Sequence, residues 1–472
     1  MATLQPQSVR SPVTNRPMNV FVVGLDDHNR DVLESAAHAD QYRFHGVLTY
    51  EEIYSEEISF TEILTKATMV IDAFDGPVDA IIGFWDFPIS CIVPLLRQRY
   101  GLPSHDLTDV VKCEHKYWSR LIQQEVITEI PKFGLVDPFT DTTPPAGMSF
   151  PMWIKPVKSF ASMLAIKARN QDEFDQALNK IRNGITRLGD PFNAVLEHVE
   201  LPPHIADVGG HMCIAEEAIT GQQVTVEGFR QGSRVVLYGL IDSIHYDDAP
   251  SFLRYQYPSA LPAHVQQRMR EISKKVVQAI GLDGMTFNIE YFWDPHHDEI
   301  KLLEINPRHS QSHAELFTHV DGMSNHQIML ELALGNAPQL PQGKGEARVA
   351  ATWFLRHFTD GIVTRHPTDE EIAAIEREIP GVYIEVTAHR GELLSVMHGQ
   401  DSYSYRLATV FIGAEDVAEL VAKYDDVVAR LHFDIAEVPV VQGRDTGIPQ
   451  LGVGGDNDPT DPHPFHGMLD AS

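Results

Sequence analysis

The chain has 472 residues, 43% of them hydrophobic, with 37 Lys and Arg against 66 Asp and Glu and a formal charge of −29. At roughly 100–200 residues per domain this allows two to four domains with a substantial core. An acidic surface without any basic block would repel nucleic acid and anionic membrane, so neither is expected as a partner, although a few local lysines and backbone N–H groups can still hold a small anion.

Residues 1–17 are polar, lack the apolar centre of a signal peptide and are expected to be disordered. Residues 19–24 (NVFVVG) are an apolar, β-branched run ending in glycine, followed by a helical stretch over 29–37. Further strands are expected at 44–49 and 79–84, with helices over 60–74 and 89–100. Strands alternating with helices indicate a parallel sheet with crossover connections, so 18–112 is assigned to an N-terminal α/β domain. The turn Val23-Gly24-Leu25-Asp26 lacks a GxGxxG pattern and reads as structural.

A helix over 113–124 carries Lys116 in its first turn. After a Pro-, Thr- and Asp-rich connection, strands are expected at 152–156 (MWIKP), 163–168, 195–197, 212–216, 223–229 and 233–243. Residues 263–280 have helical spacing and stop at Gly281. Strands over 285–293 and 299–305 flank a turn, and a helix over 324–334 stops at Gly335. Residues 347–435 read as a small α+β unit with helices near 369–378 and 414–431. The Gly-, Pro- and Asp-rich tail over 441–472 is expected to be disordered. The three cysteines, Cys91, Cys113 and Cys213, are widely spaced and form no CxxC. With no apolar run near the ~20 residues of a membrane span, a reducing, cytoplasmic setting is expected.

The chemistry concentrates in Phe287-Asn288-Ile289-Glu290-Tyr291-Phe292 and Lys301-Leu302-Leu303-Glu304-Ile305-Asn306-Pro307-Arg308. Because side chains alternate along a strand, Glu304 and Asn306 share a face, with Arg308 just beyond. Glu290 can sit beside Glu304 if the two strands pair antiparallel. Two carboxylates and an amide oxygen are costly in a partly buried sheet without a cation, and hard oxygen ligands suit Mg²⁺. The plainer alternative is a solvated face in which Glu304 and Arg308 pair with surface neighbours.

The run LLEINPR resembles the metal-binding strand of the ATP-grasp superfamily, and the remaining motifs follow that family's order over roughly residues 19–435. The resemblance implies an α/β chain with the ATP-grasp fold. A pre-ATP-grasp domain (18–112) would precede an ATP-grasp core (113–338, with a lid subdomain over about 150–222), and a small C-terminal α+β subdomain (339–440) would follow. It implies that Glu290, Glu304 and Asn306 hold Mg²⁺, with Mn²⁺ as an alternative, and that Arg308 steadies the transferred phosphoryl group. Lys116 and Lys155 would contact ATP phosphates.

The loop after Lys155 reads Pro156-Val157-Lys158-Ser159-Phe160-Ala161-Ser162-Met163 and has no glycine, a departure from the family's glycine-rich lid; Ser162 is the residue carried over. The segment 213–224 resembles the adenine hinge, which brings Glu216, Glu217 and Ile219 to the adenine edge and Gln223 to the ribose hydroxyls. An exposed acidic turn is the alternative for Glu216 and Glu217. Arg254 could hold a substrate carboxylate or the γ-phosphate, or form a surface salt bridge. The polar residues His309, Ser310, Gln311, Ser312, His313 and Glu315 directly follow the metal strand, and some of them are candidates for the acceptor-pocket lining. The implied activity is a carboxylate–amine ligase of the amino-acid-ligase or biotin-carboxylase type. Small-molecule acid and amine substrates, amino acids foremost, would be joined through an acyl phosphate, and the resemblance also allows a homodimer. The rivals are carboxylation of bicarbonate and a nucleotide-binding protein without turnover.

Overall fold

A computed structural model describes residues 16–36, 38–54, 59–159, 163–247, 249–397, 400 and 403–437. The disorder expected for the N-terminus and for 441–472 therefore falls, apart from Arg16 and Pro17, outside the described residues, and so does Ser162.

The N-terminal region is a three-stranded parallel sheet ordered Tyr42–Val47, Met18–Val23, Ala80–Ile82. Val20, Val22 and Val23 are fully buried, so this strand is apolar on both faces, as a parallel strand covered by helices must be. The helix Phe60–Asp72 covers it, started by a capping box in which Ser59 and Glu62 satisfy each other's backbone N–H groups.

Two antiparallel sheets follow. Four strands are ordered Phe133–Val136, Cys213–Glu217, Met152–Pro156, Ile166–Ala168. Eight strands are ordered Glu299–Asn306, Met285–Asp294, Gln222–Gln231, Arg234–Tyr246, Ala249–Tyr257, Val349–His357, Tyr405–Ala414, Val382–Val386. The C-terminal segment therefore extends the sheet of the core, joined where Arg254 pairs with Trp353 and Tyr257 with Ala350. The helix Ala263–Ile280 packs on the helix Lys116–Val126. Its buried residues Val265, Met269, Ile272, Val276, Val277 and Ile280 follow the 3.6-residue period.

The strand expected at 195–197 is not formed. Those residues close the helix Thr186–Leu196, whose buried Leu188, Phe192, Val195 and Leu196 follow helical spacing. Three β-branched or apolar residues look like a strand in isolation, but the longer helical period decides. The helix expected over 113–124 is two, Leu107–Glu114 and Lys116–Val126, broken at His115, whose side chain caps the second by accepting from the Trp118 N–H. Sequence reasoning did not identify the helices Gln171–Gly184 and Ala314–Asp321 or the strand Ala249–Tyr257.

Gly281 ends its helix with φ +100°, and a Cβ there would lie 2.9 Å from the Asp109 carboxylate. Gly281→Ala is expected to destabilise the fold by about 1–2 kcal/mol through the left-handed backbone, read as a lower midpoint in denaturant unfolding.

Candidate active site

The hairpin of Met285–Asp294 and Glu299–Asn306 sets Glu290 opposite Glu304 and Asn288 opposite Asn306, all four on one face. Tyr291 pairs with Leu302, so Leu303 is the extra residue of a β-bulge immediately before Glu304. Bulges re-aim side chains near functional sites, and this one is clamped: Arg120 donates to the carbonyl oxygens of Leu302 (3.0 Å) and Leu303 (2.5 Å).

That face forms one wall of a cavity of about 450 Å³. The opposite wall is the four-stranded sheet, which contributes Trp153, Lys155, Glu216 and Glu217; Lys116, Ile219, Gln223 and Arg308 also line the space. Of the residues singled out from the sequence, the structure brings Lys116, Lys155, Glu216, Glu217, Ile219, Gln223, Glu290, Glu304 and Arg308 to one cavity. Asn306 lies beside it, donating to Asn288 Oδ1 (2.9 Å) and Glu290 Oε1 (3.3 Å).

Charges here are tightly paired. Lys116 Nζ is 2.8 Å from Glu304 Oε2. Glu216 lies between two cations, 2.6 Å from Lys155 Nζ and 2.6 Å from Arg120 Nε. Arg308 forks onto Asp86 at 3.0 and 2.7 Å, tying the end of the Glu304 strand to the N-terminal region. Gln223 Nε2 donates to Glu290 Oε2 at 2.8 Å. Behind the wall, Lys158 pairs with buried Glu114, which also accepts from Ser90.

The two opposed glutamates differ in proton affinity. Burial, then the facing Glu304 charge, pushes Glu290 up to about 7. Burial acts upward on Glu304 too, but the ammonium groups of Lys116 and Lys155 outweigh it and hold the carboxyl at about 2. Burial and the facing charge thus favour a proton on the Glu290 side of the pair, which a divalent cation would displace. The donor set fits Mg²⁺, which takes one or two carboxylates and completes its shell with phosphate and water. Among the described residues no group of three or more His, Cys, Asp or Glu is arranged to hold an ion on protein ligands alone.

Arg254, expected at the substrate, is not brought to this cavity. Its guanidinium lies 4.4 Å over the Trp353 ring and donates to Gln256. Irregular pairing around Phe252 re-phases the strand, so Phe252 and Tyr255 line the cavity instead. Glu216 is engaged by Arg120 and Lys155, and Glu217 Oε2 accepts from the Lys132 N–H at 3.2 Å. Gly221, at the turn after this segment, has φ +134°, and a Cβ would come within 2.4 Å of the Trp293 carbonyl. Ser310, Gln311, Ser312 and His313 line the cavity; His309 is buried away from it, between Thr286 and His326, and Glu315, in the first turn of the helix Ala314–Asp321, is not part of the lining.

Sequence reasoning missed Asp86, Asn288, Arg120 and Glu227. Asn288 shares the alternation of Glu290 and was legible from the motif. The others are placed by tertiary structure alone. Glu227 is fully buried and accepts from Tyr238 (2.7 Å), Asn325 (3.1 Å) and the Ser310 N–H (3.0 Å), with His313 Nδ1 at 2.7 Å. It pins the loop after Arg308.

Residues 148–315 match the family model of the ATP-grasp domain. That segment of the chain is similar to the ATP-grasp domain. Over 250 residues it is 26% identical to the carbamoyl phosphate synthase large chain of Thermotoga neapolitana, a match covering 51% of this chain and 20% of that protein. The chain thus spans about a fifth of the length of that curated relative. The L-amino acid ligase of Bacillus licheniformis shares the fold, with TM-score 0.66 and 14% identity over 90% of this chain and all of that one. So does the biotin carboxylase domain of the 2-oxoglutarate carboxylase of Hydrogenobacter thermophilus, solved with MgADP and bicarbonate. It has TM-score 0.60 and 12% identity, over 90% of this chain and 92% of that one. The parallel N-terminal sheet and the large antiparallel sheet are the ATP-grasp architecture. No helix of the described residues is long and apolar enough to cross a membrane.

Two outcomes follow from the electrostatics of this cavity. Folding holds the Glu216 carboxyl near 2, because Arg120 and Lys155 outweigh its burial. It therefore stabilises the fold above the ordinary carboxylate range, and that contribution is lost as pH falls from about 4.5 toward 2. Glu216→Gln, which leaves two buried cations without their partner, should cost about 3–5 kcal/mol at pH 7 and less at pH 3 in denaturant unfolding. Mg²⁺ or Mn²⁺ binding should release close to one proton at pH 6 and little above pH 8, measured by calorimetry in buffers of differing ionisation enthalpy. Release that does not vary with pH would contradict the Glu290 assignment.

Proposed function

We propose that the chain is an ATP- and Mg²⁺-dependent ligase that activates a carboxylate as an acyl phosphate for attack by an amine, with amino acids as the substrate class. One observation carries this reading: Glu290 and Glu304 face each other on the same cavity wall that receives Lys116 and Lys155. The ATP-grasp match over 148–315 and the fold shared with the L-amino acid ligase support it.

In this reading Lys116 and Lys155 neutralise phosphate oxygens, Glu217 and Ile219 border the adenine, and Gln223 meets the ribose hydroxyls. Glu290, Glu304 and Asn306 would hold Mg²⁺, which supplies charge neutralisation of the phosphates when bound. The substrate carboxylate attacks the γ-phosphorus and ADP leaves. Arg308, already oriented by Asp86, stabilises the charge on the transferred group. The amine then attacks the acyl carbon and phosphate departs, which forms the amide. Catalysis of this kind rests on positioning and electrostatics, and the cavity walls exclude the water that would hydrolyse the acyl phosphate. The donors of the Ser310–His313 loop are partly committed to Glu227, and the loop does not carry the Gln-x-Glu-His run of the bicarbonate-using branch. That favours an amine acceptor over carboxylation. The three buried thiols suit a cytoplasmic setting.

The test is ADP and phosphate release from Mg–ATP across amino acids, singly and in pairs, with bicarbonate included. Turnover that needs both an acid and an amine, and falls at least 10³-fold in Glu304→Ala, is the expected result. Turnover with bicarbonate alone would shift the reading to carboxylation, and nucleotide binding without any turnover would overturn it.

A further inference from the structure

Beyond the phosphate end of the cavity, the strands Val349–His357 and Tyr405–Ala414 set Arg356 directly opposite Arg406. Like charges at directly opposed positions destabilise a sheet, and the Glu385 carboxylate acts on this pair from the Arg406 side. Both guanidinium groups stand over the Phe354 ring, at 5.4 and 6.0 Å from its centroid. Phe354 meets Tyr255 edge-on at 5.2 Å, and Tyr255 lines the main cavity together with Arg308.

The two arginines are not equivalent. Arg356 is committed, donating to the Phe252 carbonyl and to Ser404 Oγ, each at 3.0 Å. Arg406 Nε is buried and has no hydrogen-bond partner, and burial lowers the guanidinium's pKa against the opposing pull of the Glu385 charge. A guanidinium carries five N–H donors in a planar fork that matches a carboxylate. Arg406 and Arg308 both act electrostatically on Tyr255, and Arg406 and Asp86 both act on Tyr50. Standing over Phe354, which meets Tyr255, Arg406 adjoins the end of the cavity lined by Asp86 and Arg308.

We propose that Arg406, framed by Arg356, Phe354 and Tyr255, is a carboxylate subsite that holds a substrate carboxylate other than the one activated. The inference rests on the ligase reading and narrows its substrates. Either the amine substrate is an α-amino acid held by its own carboxylate, or the acid substrate is a dicarboxylic acid held by its second one. A carboxylate would match both the charge of this guanidinium and its N–H donors, whereas an uncharged analogue would match only the donors.

Calorimetric titration of the full chain, loaded with Mg²⁺ and a non-hydrolysable ATP analogue, tests this. The probes are the amino acids, their primary amides, and four- and five-carbon dicarboxylic acids beside monocarboxylic acids of equal length. At least one carboxylate probe should bind the wild-type protein and lose tenfold or more in Arg406→Gln, with nucleotide affinity within twofold. Its amide or monocarboxylic counterpart should bind at least tenfold more weakly and be insensitive to the substitution. Loss on amidation identifies the amine substrate as the source, and loss on removing the second carboxyl identifies the acid. Arg406→Lys should retain part of the affinity. If Arg406→Gln fails to fold, Arg406→Lys and the paired probes on the wild-type chain still decide. Equal binding of a probe and its uncharged counterpart, an unaltered Arg406→Gln, or no binding by any carboxylate probe overturns the subsite. Failure of the ligase reading shows separately, as absence of phosphate release while carboxylate binding persists.

Discussion

The structure depends on a charge balance across one sheet face. Glu290 and Glu304 are forced opposite each other by hairpin register, an arrangement that costs energy unless cations answer it. The answer comes from three directions: Lys116 from a helix start, Lys155 from the facing sheet, and Arg308 from the strand's own end. None of these is free to roam. Lys116 is held by the opening of its helix, whose first N–H donates to the Val157 carbonyl at 2.8 Å. Lys155 shares Glu216 with Arg120, and Arg120 reaches through to the carbonyls of the bulge. The two walls of the cavity are therefore connected through one buried ion network, so the distance between them is set electrostatically as well as by packing.

The N-terminal domain joins that balance at two points. Asp86 receives the Arg308 fork, and Asn29 Oδ1 accepts from His326 Nε2 at 2.8 Å, with the His326 ring itself 2.8 Å from His309. Asn29 in turn is held by Asp26, the cap of the first helix. Burial lowers His326 to about 3 and takes His309 well below its ordinary range, so both rings are neutral and serve as hydrogen-bonding struts. The Gly24 turn that looked merely structural from sequence thus lies at one end of a polar chain that reaches the residue after Arg308. Domain docking and the position of the phosphate-end arginine are parts of one arrangement.

Much of this was legible because it is local. Alternation in a strand puts Glu304 and Asn306 on one face whatever the fold, and the short turn over 294–298 makes antiparallel pairing with Glu290 the natural outcome. The helix 263–280 was read with its true ends because seven buried positions share one period and glycine stops it. What was missed is either competition between periods or purely tertiary. Val195 and Leu196 look like a strand until Leu188 and Phe192 are counted with them. Arg254 looked like a site residue because nothing in its neighbourhood reveals that the strand is irregular around Phe252, and one shift of phase sends a side chain to the other face. Asp86, Glu227 and Arg406 sit far in sequence from the motifs they serve, so no spacing could have flagged them.

The most direct check of the central claim is anomalous diffraction from crystals grown with Mn²⁺ and a non-hydrolysable ATP analogue. The account requires manganese between the Glu290 and Glu304 carboxylates and the analogue's phosphates, with Lys116 and Lys155 on phosphate oxygens and the base beside Glu217 and Ile219. Manganese bound elsewhere, or a nucleotide that leaves the Lys116–Glu304 and Lys155–Glu216 pairs untouched and lies outside this cavity, would contradict it.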